Sequence, residues 1–138
     1  MREILFRGIC TETGDWVNGF YVRLNCKEHR IYSGYAETDC GDYYPDWEQV
    51  APDTVGQFTG MTDKNGKRIF ERDIVRAKFC GKHQGTFTIE FINGCFYAVP
   101  VGGTIDSLRP WKYSVGGENG NMEVIGNIHD NPELLENP

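Results

Sequence analysis

The chain has 138 residues, 39% of them hydrophobic and 13% aromatic, with 17 glycines and a net charge of -6. That apolar content excludes wholesale disorder, and the length fits one domain, with possible sub-parts at residues 1–50 and 51–138. No apolar run approaches the ~18 residues of a membrane helix, and charges at Arg2, Glu3 and Arg7 exclude an apolar signal-peptide core, so a cytoplasmic protein without membrane attachment is expected.

Scattered glycines between short apolar runs predict an almost all-β chain with many turns. Ile4-Leu5-Phe6 reads as a first strand, Thr11–Asp15 as a turn, and Trp16–Val22 as a second strand rich in aromatic and β-branched residues. His29–Ser33 reads as a third strand. Residues 36–46 are polar, contain Gly41 and Pro45, and read as an exposed loop. Val55–Thr59 is a short strand. Asn65-Gly66 then predicts a tight hairpin turn, because both residue types tolerate positive φ.

Asp73–Phe79 and Thr86–Phe91 alternate with period two, which places Phe87, Ile89 and Phe91 on a core face. Asn93-Gly94 is a second hairpin turn, returning the chain into Cys95–Val99. Three consecutive antiparallel strands over 70–99 predict a small curved sheet closing into an SH3-like barrel over about residues 55–128. Trp16, Phe58, Ile74, Phe87, Ile89, Phe91 and Ile125 are the expected core. Glu123–Ile128 is a strand. Asn131-Pro132-Glu133 starts a short C-terminal helix well, with Asn as N-cap and Pro at the first helical position.

Charge is segregated along the chain. Residues 64–83 hold seven basic side chains against Glu71 and Asp73, a balance of +5 (7 − 2). From Tyr113 onward there is no Lys or Arg, and Glu118, Glu123, Asp130, Glu133 and Glu136 give -5. Five widely spaced cysteines, an odd number, argue against a secreted disulfide framework.

Three segments carry a family resemblance: Phe6-Arg7-Gly8 with Thr13–Gly19, then Val55–Val75, then Val124–Leu135. Their order and spacing resemble the YopX family of phage and prophage proteins. The resemblance implies a β-rich fold with an SH3-like part, self-association, and residence in the bacterial host cytoplasm. It brings no catalytic residues. It also implies Gly where this chain has Arg72, at a turn with positive φ; a non-glycine residue there costs roughly 1 kcal/mol.

Candidate chemistry is sparse. Cys26-x-x-His29 and Cys80-x-x-His83 would supply two thiolates and two imidazoles for a tetrahedral zinc. Their spacing is less diagnostic than paired Cys-x-x-Cys, so no metal and no cofactor is expected. The three serines lie in no Gly-x-Ser-x-Gly elbow. Gly102-Gly103 and Gly116-Gly117 fit no phosphate-loop pattern. Asp39, Asp42 and Asp46 read as a solvated loop, and the chain is not expected to be an enzyme.

Two function classes follow. The first is an accessory protein that acts by protein–protein contact, as a homo-oligomer or with a phage or host protein, with Leu134 and Leu135 as the self-association contact. The second, less favoured, is a nucleic-acid-binding module using Lys64, Lys67, Arg68, Arg76 and Lys78 for phosphates, with Tyr43, Tyr44 and Trp47 for base stacking.

Overall fold

The computed structural model describes residues 3–79, 83–101, 109–110 and 122–136, with the backbone alone described at 78, 79, 83, 84, 109 and 110. The fold is mainly antiparallel β, and the chain divides into two compact units, Met1–Phe58 and Thr59–Pro138.

In the first unit, β1 (Phe6–Ile9) returns into β2 (Trp16–Arg23), in register from Phe6 opposite Gly19 to Ile9 opposite Trp16. β3 (His29–Glu37) pairs with β2, and β4 (Tyr43–Gln49) pairs with β3. On the other side of β1 lies the start of β5 (Gly56–Thr62), which puts β4 at the edge in the order β4-β3-β2-β1-β5.

The core of this unit is small: Cys10, Ile31, Val50 and Phe58 are buried. Gly8 belongs to it through close approach, since a Cβ there would sit 3.0 Å from Val50 and 3.2 Å from Ile31. The turn Pro52–Thr54 is tied in by Thr54, whose hydroxyl accepts from the Ile9 N–H (2.9 Å) and donates to the Ala51 carbonyl (2.6 Å).

Residues 36–46 are not the exposed loop that their polar composition predicts. Residues 35–37 and 43–46 are strand, joined by a short turn in which the Thr38 N–H donates to the Asp42 carbonyl. Pro45 hides this strand from sequence patterning, yet a sheet admits proline at its edge, and β4 is an edge.

In the second unit, the rest of β5 neighbours β6 (Arg68–Phe70). A five-stranded sheet follows in the order β10-β9-β8-β7-β11, from β7 (Asp73–Phe79), β8 (His83–Ile92), β9 (Cys95–Pro100), β10 (Arg109–Pro110) and β11 (Glu123–Asn127). Its core is Ile69, Val75, Ala77, Phe87, Ile89, Ala98 and Met122, with Met61, Phe96 and Val124 packed against it.

Among the described residues this sheet is open, with β10 and β11 at its edges, and no closed barrel is formed. Phe58, Ile74, Phe87 and Ile89 are buried as expected. Trp16 and Ile125 are half-buried, and Phe91 is 50% exposed. Phe91 keeps the alternation but lies beside the Asn93-Gly94 turn, where the strand pair has run past the core and its partner is Phe96, with ring centroids 5.0 Å apart. The expected C-terminal helix is a four-residue 3-10 turn, Pro132–Leu135.

Candidate functional site

The basic segment is organised by an acid. Asp63 is buried, and its Oδ1 accepts the N–H groups of Asn65 (2.8 Å) and Lys67 (2.9 Å), while Oδ2 accepts that of Val124 (3.0 Å). Burial alone raises its pKa and is the largest single influence. The Val124, Lys67 and Asn65 N–H donors and the nearby Lys67 charge outweigh it together, and the carboxyl titrates below its ordinary 3.8.

This acid sets the loop between β5 and β6, which carries Lys64 and Lys67 outward, with Arg68 exposed at the start of β6. Lys64 Nζ lies 3.4 Å from Oε2 of Glu123. Arg76, exposed on β7, is the register partner of the same Glu123 on β11. Lys64 is thus paired with Glu123 and Arg76 stands opposite it on the neighbouring strand, while Lys67 and Arg68 stand at the far end of the loop. The side chain of Lys78 lies outside the described residues. Tyr43, Tyr44 and Trp47, the expected base-stacking partners, belong to β4 in the other unit.

Leu134 is half-buried and Leu135 is 37% exposed on the C-terminal turn. The turn is anchored through Asn131, whose N–H donates to the Asn127 carbonyl (2.9 Å) and whose Oδ1 accepts from the Asn127 N–H (3.3 Å). Of the two Cys-x-x-His pairs, Cys26 is exposed and His29 Nδ1 is hydrogen-bonded to the Tyr21 hydroxyl. Cys80 and the side chain of His83 lie outside the described residues, among which no three His, Cys, Asp or Glu side chains gather as metal ligands. No described helix is long and apolar enough to cross a membrane.

A cluster of exposed aromatic side chains lies elsewhere, on a face that sequence patterning missed. Ile31 points into the core of the first unit, so its neighbour Tyr32 points away from it. Phe20 on β2 and Trp47 on β4 flank Tyr32 in register and share its face. A bulge between Tyr32 and Gly34 shifts the phase, so Tyr35, opposite Pro45, joins the same face, followed by Tyr43.

Phe20 is 66% and Tyr35 76% exposed. Phe20, Tyr32, Ser33, Gly34, Tyr35 and Pro45 line a groove of about 310 Å³. Gly34 contributes backbone alone to its lining. At one end Arg30 stacks over Trp47, 3.7 Å from the ring centroid, and pairs with Glu28 at 3.0 Å. The signal available in the sequence was the aromatic density of Tyr35, Tyr43, Tyr44 and Trp47. It was masked because β4 buries neither face and so shows no apolar alternation.

A crystal structure of protein EF1440 from Enterococcus faecalis is similar over 98% of this chain and 99% of that one, with a TM-score of 0.60 and 24% sequence identity, a likeness that shows the fold. No curated protein matches the chain. The family model for YopX protein matches residues 5–136. With nearly its whole length matched, and with the Phe6–Gly19, Val55–Val75 and Val124–Leu135 segments all inside the match, the chain belongs to the YopX family.

Proposed function

We propose that this protein is a phage or prophage accessory protein of the bacterial cytoplasm that works by protein–protein contact, self-association included, and not by catalysis. The observation that carries this reading is the uncovered aromatic face of β2, β3 and β4. Large exposed apolar patches on a folded unit mark contact surfaces, and here Phe20, Tyr35, Tyr43 and Trp47 are exposed together on one side of a sheet. Leu134 and Leu135 offer a second, smaller surface, to which we assign self-association. The family resemblance implies an SH3-like second unit, and five antiparallel strands in one sheet support that.

The nucleic-acid reading is weaker. Lys64, one of its five phosphate contacts, is already paired with Glu123, and the net charge of -6 opposes binding by counterion release.

The test is a photo-crosslinking amino acid in place of Tyr35, in the full chain expressed in bacterial cells. A covalent adduct with a protein, either a second copy or another chain, is expected. Absence of any protein adduct at that position overturns the contact reading of this face.

A further inference from the structure

We infer that the aromatic groove of β2, β3 and β4 is a docking site for a proline-rich segment of another protein, extended as a polyproline II helix and flanked by Arg or Lys. This rests on the contact reading above and names the class of partner.

Phe20, Tyr32, Tyr35 and Pro45 form an apolar groove, continued by Trp47 and Tyr43 along β4. Polyproline II segments dock in grooves of this composition, because flat aromatic rings accept proline rings while phenol and indole groups donate to backbone carbonyls. Those carbonyls have no internal partners in a polyproline II helix. The segment is also stiff before it binds, so little conformational entropy is lost on docking.

At the Tyr35–Tyr43 end of the groove Glu37, opposite Tyr43, and Asp39 and Asp42 in the joining turn form an acidic rim with no Lys or Arg between 35 and 48, while Asp46 and Glu48 alternate onto the other face of β4. Such a rim attracts a basic flank and repels nucleic-acid phosphates. It equally repels the same rim on a second copy, which separates this surface from the self-association assigned to Leu134 and Leu135. Arg30 shows that this face accepts a guanidinium stacked on an aromatic ring.

Strand addition along β4 is guarded against. β4 is an edge strand, but Pro45 lacks an N–H, and Asp46 and Glu48 put charge on the edge, which are the usual guards against an added strand. The occupant therefore lies on the face and not along the edge.

The experiment is fluorescence anisotropy of a labelled peptide of repeated Pro-Pro-Ala with Arg at both ends, titrated with the full-length protein. Saturable binding is expected. Replacing the prolines by Ala should weaken it at least tenfold, and so should replacing both Arg by Glu. Tyr35→Ser, at a side chain too exposed to matter for folding, should also weaken it at least tenfold.

Equal affinity for the Ala peptide reduces the effect to charge alone and overturns the inference. So does binding of a single-stranded deoxythymidine oligonucleotide that Tyr35→Ser abolishes. If no peptide binds while the crosslinker at Tyr35 still captures a protein, this inference fails and the contact reading stands. If neither occurs, both fail.

Discussion

Three backbone N–H groups converge on the carboxylate of Asp63, and through Val124 one of them belongs to a strand about sixty residues further along the chain. Asp63→Asn keeps the shape but turns one acceptor oxygen into a donor facing an N–H. The expected loss is about 1–3 kcal/mol in urea unfolding at neutral pH. Because the folded pKa is lowered, the stabilisation is present above the ordinary value of 3.8 and is lost as pH falls through the folded value. The wild-type advantage over Asp63→Asn should therefore be constant near neutrality and shrink below pH 3.8. An advantage unchanged at lower pH would show that the charge is not what holds the loop. Arg72 is a second residue where the local backbone decides. Its φ is 68°, so the turn keeps the left-handed conformation that the family's glycine implies, and the chain bears the strain. Its N–H donates to the Ile89 carbonyl (2.6 Å), and its own carbonyl accepts from the Ile128 N–H (3.1 Å), which holds it there. Arg72→Gly should gain between 0 and about 1 kcal/mol, the relieved strain being offset by the freer unfolded chain. Arg72→Val should lose more than about 1 kcal/mol, since a β-branched residue fits this region worst. Chemical denaturation of the pair is the check, and a large loss in Arg72→Gly would mean that side-chain contacts of Arg72 outweigh its strain.

Strand β8 shows how far period-two alternation carries. Phe87 and Ile89 follow it into the core, and so does the face of Phe91, but Phe91 lies where the strand pair outruns its cover. Phe87→Ala should therefore cost on the order of 3–5 kcal/mol, and Phe91→Ala well under half of that, both read from urea midpoints. Equal costs would place the core boundary beyond the Asn93-Gly94 turn. The two Asn-Gly pairs make a related point about legibility. Asn93 and Gly94 both have positive φ, 50° and 82°, and form the two-residue hairpin that the sequence predicts. Asn65 does not, and only Gly66, at 80°, is left-handed, because Asp63 captures the Asn65 and Lys67 N–H groups and closes a longer loop. A dipeptide propensity was readable at both sites; the distant Val124 contact of Asp63 was not. Strand β4 was illegible for the opposite reason, since it buries nothing and carries Pro45. The groove that β3 and β4 form depends on a bulge at Tyr32 and Gly34 that no residue pattern announces.

The charge segregation that points toward assembly in the sequence is partly answered within one chain. β11 lies beside β7, with Glu123 opposite Arg76, and Lys64 pairs with Glu123 at 3.4 Å. Both partners of that ion pair are exposed, so it contributes ~0–1 kcal/mol and fixes strand placement more than stability. Intermolecular charge pairing is therefore a poor driver for the self-association we propose, which we assign to apolar contact through Leu134 and Leu135. We expect sedimentation of the full chain at micromolar concentration to show an oligomer that persists when salt is raised, because apolar burial is not screened as ion pairs are. Truncation after Asp130 should weaken it. That deletion also removes Asn131, which hydrogen-bonds to Asn127 at the end of β11, so a loss of assembly there could arise from damage to the strand. Leu135→Ser separates the two, since Leu135 is already at the surface and its substitution leaves the Asn127–Asn131 contacts in place. An oligomer lost in Leu135→Ser with an unchanged melting temperature would establish the contact. One that survives both changes would exclude the two leucines, and a monomer at micromolar concentration in low salt would overturn self-association itself.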